Sequence, residues 1–310
     1  AYMGAKLATP ILVEGLRRLE YRGYDSAGIA VKDESFSVYK KVGKVAELQS
    51  ILPSNVPGNV GIAHTRWATH GVVSDENAHP HASVSGDVII VHNGIIENSR
   101  TLRTLLERKG ISLSSETDSE TIAHILDYEL SRDNNPTAAM HRTISKLHGT
   151  WGICAIFLNH DVMVCARNGS PLIIGKGDNE MFISSDPHAL TTHTQRVVFL
   201  EDGDIATLTS DSIVMSSLNG INKEASITVL EDEWGEAEMG DFPHFMLKEI
   251  FEQPDALRHC ISGRLDRVRG NGRLGGLKLS PLELSKLPHV RLLGCGLSLI
   301  HISEPTRPSQ

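Results

Sequence analysis

The sequence predicts an α+β fold in which antiparallel β-sheets are covered by helices. Six short runs rich in β-branched and other apolar residues follow one another between residues 153 and 208, separated by Gly, Asp, Asn and Pro turns. Most patterns with helical spacing are grouped ahead of these runs. Consecutive strands without intervening helices indicate antiparallel sheets and argue against a doubly wound parallel sheet.

The part of the chain before residue 150 mixes helices and strands. Thr9-Pro10 followed by an apolar stripe predicts a helix that is capped by Thr9, has proline in its first turn and ends near Gly23. Further patterns predict strands at residues 29–31, 36–42, 60–63 and 88–91 and helices at residues 96–109, 120–130 and 137–147. The last of these strands is almost continuously apolar, which is typical of a strand buried on both faces.

The chain changes character after residue 230. Residues 231–240 are acidic and predict a loop, and residues 245–260 return to helical spacing. Residues 262–287 are rich in Gly, Arg and Leu and predict a connector before a new strand at residues 290–293.

The composition argues against several kinds of partner. Hydrophobic residues make up 40% of the 310 residues, and no apolar run approaches the length of a membrane span, so we expect no membrane partner. Lys and Arg number 30 against 38 acidic residues, and the net charge of -8 disfavours nucleic acid. The four cysteines are widely spaced, which predicts free thiols in a reducing cytoplasm: Cys154, Cys165, Cys260 and Cys295.

We expect neither a cofactor nor a metal site. His79-Pro80-His81 places two histidines close together, but no acidic or thiol partner completes a zinc-like ligand set. A turn with incidental histidines is the interpretation we prefer.

Residues 61–71 carry a dense group of hydrogen-bond donors at the end of an apolar strand. Arg66 offers a rigid fork that matches a carboxylate, and Trp67 could close over a small ligand. For Arg66 taken alone, a surface salt bridge is the interpretation that would ordinarily be favoured.

Two further clusters point to the same chemistry. Asn93-Gly94 follows the buried strand, and its side-chain amide and backbone N–H could hold an oxyanion, although a plain Asn-Gly turn is the alternative. Residues 115–120 place carboxylates immediately before a helix, where capping is the commonest explanation. Each cluster is weak evidence by itself.

Together these motifs resemble the glutaminase domain of the glucosamine-6-phosphate synthase family, the glutamine:fructose-6-phosphate amidotransferases. The resemblance rests on four ordered stretches and covers the chain from its first residues to about Gly296: residues 19–28, 64–71, 92–94 and 116–118. Residues 245–254 are similar to that family's junction between its glutaminase and sugar isomerase domains. The resemblance implies a four-layer αββα sandwich of the N-terminal-nucleophile hydrolase class.

The resemblance also implies how glutamine is bound. Arg66 would clamp the α-carboxylate of glutamine, and Asp118 would bind its α-ammonium group. Trp67, Thr69 and His70 would line or cover the pocket. For Trp67 alone, packing in the core is the alternative.

The catalytic roles follow from the same resemblance. The nucleophile of the family is an N-terminal cysteine whose own α-amino group moves the proton. Asn93 and the Gly94 N–H would form the oxyanion hole, and Arg22 would orient the nucleophile. A simple ion pair is the alternative for Arg22.

The domain boundaries are likewise implied by the resemblance. We expect a glutaminase domain at residues 1–240, a helical connector at 241–288 and the start of a sugar isomerase domain at 289–296. Aligning the family's opening Cys-Gly-Ile-Val places the nucleophile upstream of Ala1, so we expect the chain as given to bind glutamine weakly or not at all and not to hydrolyse it.

Residues 297–310 fit none of these domains. They resemble the in-frame translation of a sequencing-library adapter, and we expect them to be an artefact that contributes nothing to the fold; a divergent natural tail is the alternative.

Two other functions remain open from the sequence. One is the glutaminase domain of another class II amidotransferase, such as the phosphoribosyl-pyrophosphate or asparagine-forming type, and the other is a noncatalytic glutamine-binding module. Glutamine is the expected small-molecule partner, and fructose 6-phosphate would bind only in the full-length enzyme. We expect a homodimer for that enzyme, a monomer for this fragment and a cytoplasmic location for both.

Overall fold

The computed structural model describes residues 1–68, 71–230 and 242–261, together with residues 265–266, 271–272 and 286. The chain divides into two units, Ala1–Glu236 and Ala237–Gln310. In the first unit the helices are α1 (Ala8–Leu19), α2 (Val45–Ile51), α3 (Ser99–Arg108), α4 (Asp118–Leu130) and α5 (Pro136–Ile144). Short 3-10 helices occupy Glu20–Arg22 and Pro187–Ala189.

The strands of the first unit form two sheets. In chain order they are β1 (Tyr2–Met3), β2 (Ser26–Lys32), β3 (Phe36–Val42), β4 (Val60–Arg66), β5 (His81–Ala82), β6 (Val88–Ile96), β7 (Gly149–Phe157), β8 (His160–Asn168), β9 (Ile173–Lys176), β10 (Met181–Ser184), β11 (Arg196–Phe199), β12 (Asp204–Leu208), β13 (Ile213–Ser217), β14 (Asn222–Lys223) and β15 (Thr228–Val229).

The strand order shows that the sheets are built largely from neighbouring hairpins. The eight-stranded sheet has the order β15-β11-β9-β10-β1-β4-β2-β3, and the seven-stranded sheet has the order β14-β13-β12-β8-β7-β6-β5. Adjacent strands run antiparallel, as in the long β2–β4 and β6–β7 pairs. The sequence-based prediction of antiparallel sheets is therefore confirmed.

Three apolar cores define four layers. One core lies between the sheets, because it joins Ala30 and Ile62 of the eight-stranded sheet to Ile156 of the seven-stranded sheet. A second core packs helices α3, α4 and α5 on the outer face of the seven-stranded sheet. A third packs α1 and α2 on the outer face of the other sheet. The result is the αββα sandwich that the resemblance implied.

Some local predictions need correction. Thr9 does not cap the first helix, because α1 begins at Ala8 and Leu7 occupies the cap position without a side-chain hydrogen bond. The plain turn considered for Asn93-Gly94 is wrong, since β6 continues through both residues to Ile96 and remains paired with β7.

The second unit contains helix α6 (Phe245–Ile261) and a short pair of strands, β16 (Leu265–Asp266) and β17 (Asn271–Gly272). The helix agrees with the predicted pattern and runs through Pro254. The predicted loop at 231–240, the strand at 290–293 and the tail at 297–310 lie outside the described residues. No helix in the described part of the chain combines the length and apolar character that a membrane crossing requires.

Helix α4 is anchored at its C-terminal end by a buried carboxylate. The Glu129 side chain is 1% exposed and contacts the side chains of Arg132, Arg142 and Lys146 at 2.9–3.0 Å. Burial pushes the pKa of Glu129 up, but hydrogen bonds from the three cations outweigh burial and hold that pKa below its usual range. The charged form therefore stabilises the fold.

Prediction: Glu129→Gln lowers the free energy of unfolding at pH 7 by about 2 kcal/mol, because the cations lose their common partner but are exposed enough to return partly to water. A depressed carboxyl pKa contributes stability that is present above the unfolded-state pKa and disappears as pH falls through the folded-state pKa. The difference between wild type and variant should thus shrink in acid, measured by urea unfolding. The exposed Glu107→Gln is the matched control, and an equal loss there would contradict the account.

Candidate active site

A cavity of about 450 Å³ opens between the two sheets. It is lined by residues from separate parts of the sequence, including the ends of β4 and β6 and the first residues of α4. Six of the eight residues that the sequence singled out lie on its wall: Arg22, Arg66, Trp67, Asn93, Gly94 and Asp118. The other two, Thr69 and His70, lie outside the described residues.

Arg66 is the last residue of β4 and is only 5% exposed, so it is not the surface salt bridge that the sequence left open. Its guanidinium donates to the Val72 carbonyl oxygen at 3.3 Å. Burial lowers the pKa of Arg66, while the charges of Asp25, Asp118 and Glu116 oppose that change. The guanidinium of Arg66, with its several hydrogen-bond donors, therefore lies near carboxylates at the cavity wall.

Asp118 is the first residue of α4, and Thr117 caps the helix by accepting from the Glu120 backbone N–H. One carboxylate oxygen of Asp118, Oδ2, accepts the Ile96 backbone N–H at 2.7 Å. The other, Oδ1, lies 3.4 Å from the Ser119 hydroxyl oxygen and has no closer hydrogen-bond donor among the described residues. Oδ1 therefore retains the capacity to accept a strong hydrogen bond from a ligand.

The Asn93-Gly94 segment is held from behind by His92. The Nε2 atom of His92 lies 3.4 Å from the Thr150 carbonyl oxygen, which can only accept, so Nε2 carries the proton. Nδ1 then accepts the Ser119 hydroxyl at 2.8 Å. Burial lowers the pKa of His92, so a neutral ring links this segment to the first turn of α4.

Gly94 cannot be replaced by a larger residue without a clash. Its φ angle is +141°, and a Cβ at this position would overlap the Thr150 carbonyl oxygen. The absence of a side chain lets the backbone of the segment lie close to β7.

Arg22 and Trp67 stand at the rim. Arg22 forms an ion pair with Asp186 at 3.2 Å, which is the alternative considered for it, and it also lines the cavity. Trp67 is 61% exposed and makes an edge contact with Tyr24 at 5.9 Å between ring centroids, so core packing does not explain it. An exposed indole at a cavity mouth is available to cover a ligand.

Three histidines pack together: the rings of His64 and His79 are stacked with centroids 4.2 Å apart, and the ring of His81 makes an edge contact with His79 at 4.7 Å. His64 and His79 also line the cavity. Burial lowers the pKa of His64 and of His81 to about 3 and that of His79 well below its usual value. The rings are therefore neutral near pH 7, and Arg66 rather than histidine supplies positive charge. Within the described ranges no group of three or more His, Cys, Asp or Glu side chains is arranged to hold a metal ion.

Two residues at the site were missed by the sequence interpretation. Asn77 is buried, and Glu116, which stood in the 116–118 motif without a role of its own, accepts the Val72 backbone N–H at 3.0 Å and the Asn77 side-chain amide at 3.1 Å. No sequence pattern pointed to Asn77, which lies in a turn 11 residues after the strand that carries Arg66.

The chain is similar to known glutamine amidotransferases. A family model described as a glutamine amidotransferase domain matches residues 64–192. The chain is 43% identical over 306 residues to the glutamine–fructose-6-phosphate aminotransferase (isomerizing) of Chlorobaculum tepidum, covering 96% of this chain and 50% of the relative. It is 44% identical over 292 residues to the protein of the same name from Aliivibrio fischeri, covering 93% of this chain and 47% of that relative.

A solved structure shows the same fold. Glutamine phosphoribosylpyrophosphate amidotransferase from B. subtilis, complexed with ADP and GMP, superimposes with a TM-score of 0.61 at 24% identity, covering 70% of this chain and 48% of that one. The chain has the fold of the N-terminal-nucleophile glutamine amidotransferases, and residues 64–192 match a glutamine amidotransferase domain. Within that class, the relatives that this chain resembles over 93–96% of its own length are glutamine–fructose-6-phosphate aminotransferases. It spans about half the length of the curated relatives it matches.

Prediction: Gly94→Ala lowers the free energy of unfolding by about 2–4 kcal/mol, because the new Cβ combines an unfavourable φ angle with overlap on the β7 backbone. Urea unfolding measures the change. Gly86→Ala is an informative control, since Gly86 also has a positive φ but nothing lies within reach of a Cβ there. If the two variants lose the same stability, the close approach to Thr150 is not the cause.

Proposed function

We propose that this chain is the glutamine-binding, amide-hydrolysing half of an enzyme that makes glucosamine 6-phosphate and glutamate from fructose 6-phosphate and glutamine. The observation that carries the proposal is the placement of Arg66 and Asp118 on the wall of one cavity, together with Asn93 and Gly94. The relatives' names supply the acceptor sugar and the overall reaction.

Glutamine is a zwitterion at its α-carbon, and the two ends of that zwitterion need opposite partners. The guanidinium of Arg66 can bind the α-carboxylate through two donors, and Oδ1 of Asp118 can accept from the α-ammonium group. A site with both partners disfavours analogues that lack either charged group, because a buried polar group would then be left unpaired.

The side-chain amide of the bound glutamine would be directed toward Asn93 and Gly94. The Asn93 side-chain N–H and the Gly94 backbone N–H can stabilise the negative oxygen that forms when the amide carbon becomes tetrahedral. A donor of this kind contributes roughly 3 kcal/mol to transition-state stabilisation.

Strand register supports the position of a nucleophile ahead of Ala1. Tyr2 pairs with Gly61 and Met3 with Val60, so each residue added before Ala1 would pair one position further along β4. Cys-Gly-Ile-Val placed ahead of Ala1 would therefore bring its cysteine opposite Arg66. Paired residues project from the same face of a sheet, so the cysteine side chain would lie on the face of the sheet that carries Arg66.

The chemical steps then balance as follows. The cysteine's α-amino group takes the thiol proton, the thiolate adds to the amide carbon, and the electron pair of the C=O bond moves onto oxygen. Collapse of this intermediate breaks the C–N bond, and ammonia leaves with a proton delivered by the cysteine's own α-amino group. Water then hydrolyses the thioester to give glutamate and regenerate the thiol.

The remaining assignments concern the whole protein. Ammonia would pass to fructose 6-phosphate in a sugar isomerase half, and Trp67, Thr69 and His70 would cover the glutamine. Arg22 would orient the nucleophile while paired with Asp186. The full-length enzyme would act in the cytoplasm as a homodimer, without a cofactor or nucleic acid.

Prediction: the chain extended by Cys-Gly-Ile-Val, with the cysteine as its first residue, releases glutamate from glutamine, and the same chain with serine at that position does not do so at a comparable rate. Arg66→Ala and Asp118→Ala each lower kcat/KM by roughly 100-fold or more, because each leaves one buried end of the zwitterion unpaired. A coupled glutamate assay measures both.

Arg196→Ala serves as the matched control, because Arg196 is an exposed arginine on β11 and should leave kcat/KM unchanged. Glutamine binding without hydrolysis by the extended chain would instead favour a noncatalytic glutamine-binding module. Full activity in the Arg66→Ala and Asp118→Ala variants would contradict the proposed site.

A further inference from the structure

Two side chains outside the roles assigned above join the loop after β4 to the start of α4. The Asn77 side-chain amide donates to Oε2 of Glu116 at 3.1 Å, and the Glu116 backbone N–H donates to Oδ1 of Asn77 at 2.8 Å. Asn77 and Glu116 thus donate one hydrogen bond to each other, and we call this pair the Asn77–Glu116 clasp. The partners are 39 positions apart in the chain, so the clasp fixes a tertiary relation.

The clasp holds both polar groups of Val72. Oε2 of Glu116 accepts the Val72 backbone N–H at 3.0 Å, and the Asn77 side-chain amide donates to the Val72 carbonyl oxygen at 3.0 Å. The same carbonyl oxygen accepts the Arg66 guanidinium at 3.3 Å. The orientation of Arg66 therefore depends on a carbonyl that the clasp holds in place.

The clasp also reaches the acidic side of the cavity. Glu116 is separated from Asp118 only by Thr117, the residue that caps α4. Arg103 on α3 adds to this anchoring by donating to the carbonyl oxygens of Ser115 and Thr117 at 2.8 and 3.2 Å. One set of contacts thus sets the position of the arginine relative to the aspartate.

Local packing leaves this arrangement little freedom. At Gly71 φ is +72°, and a Cβ there would lie 2.9 Å from the Asn77 amide nitrogen and 3.0 Å from Glu116. The hydrogen bonds from Val72 and Asn77 lower the pKa of Glu116, so the carboxylate is the form that makes the contacts near pH 7.

We propose that Asn77 and Glu116 are positioning residues for recognition of the substrate's α-carboxylate, acting through the Val72 carbonyl on Arg66. The inference rests on the proposed function, because it takes Arg66 as the carboxylate partner. It adds that specificity for an amino acid requires two residues that do not contact the substrate.

The test compares three ligands in the chain extended by Cys-Gly-Ile-Val. Glutamine carries both charged groups, glutaramate lacks the α-ammonium group, and 4-aminobutanamide lacks the α-carboxylate. Asn77→Asp removes the donor to the Val72 carbonyl, and Glu116→Ala removes the acceptor. Each should raise KM for glutamine and Ki for glutaramate by roughly 10-fold, since a misplaced cation weakens carboxylate binding. The Ki of 4-aminobutanamide should change less than about twofold, because this ligand has no carboxylate. The kcat for glutamine should also change less than about twofold, because the weakened contact binds the substrate and the transition state equally.

Two further variants separate geometry from charge. Glu116→Gln keeps an oxygen that accepts from Val72 and Asn77, so it should restore affinity close to that of the unsubstituted chain. If the Glu116 charge itself mattered, removing it beside Arg66 would instead tighten binding of glutaramate. Glu76→Ala makes the same charge change as Glu116→Ala at an exposed residue of the same loop and should have no effect.

The outcomes distinguish the two proposals. A parallel loss of affinity for all three ligands, or a fall in kcat at constant KM, would overturn the role of the clasp while leaving the glutaminase assignment intact. Calorimetric titration of the extended chain with serine in place of its first cysteine measures the affinities of the same three ligands without turnover. No binding of glutamine by that chain and no hydrolysis by the cysteine chain would overturn both.

Discussion

The site depends on holding one cation, Arg66, and one carboxylate, Asp118, on the wall of the same cavity. Arg66 ends a strand of one sheet, and Asp118 begins a helix that packs on the other sheet. Their relative position therefore depends on how the two sheets and α4 pack together. A ligand that carries both charges satisfies the two residues at once, whereas water satisfies them only in part.

The rest of the first unit maintains that arrangement. The core between the sheets fixes the spacing of β4 and β6, and the buried Glu129 anchors the far end of α4. His92 ties the Asn93-Gly94 segment to Ser119, next to Asp118. Backbone groups also take part, because Asp118 accepts the Ile96 N–H and Arg66 binds the Val72 carbonyl. A preorganised site of this kind loses little free energy to reorganisation when charge develops on the substrate.

Much of this architecture could be predicted from the sequence, because it rests on short-range patterns. The strands at 36–42 and 181–184 were predicted with their observed bounds, since clear turns flank both. Helix α2 and strand β13 were missed: α2 has only seven residues and β13 only five, and neither carries a long periodic pattern. The end of β6 was misjudged because Asn-Gly is a common turn sequence, whereas here pairing with β7 continues past it.

Some of the site residues could likewise be predicted from the sequence, and others could not. Arg66, Asn93 and Asp118 stand in recognisable motifs, and the structure brings them to one cavity, although their roles remain predictions. The contact of Asn77 with Glu116 had no sequence signal, because it links residues far apart in the chain through one amide and one carboxylate. Polar contacts of this kind depend on tertiary positions that neither periodicity nor local propensity encodes.

A crystal structure of the extended chain, with serine in place of its first cysteine and glutamine bound, tests the central claim most directly. The account predicts the α-carboxylate within hydrogen-bond distance of the Arg66 guanidinium, the α-ammonium group against Oδ1 of Asp118, and the amide oxygen facing Asn93 and Gly94. Glutamine bound elsewhere, or bound here with its α-carboxylate away from Arg66, would contradict it.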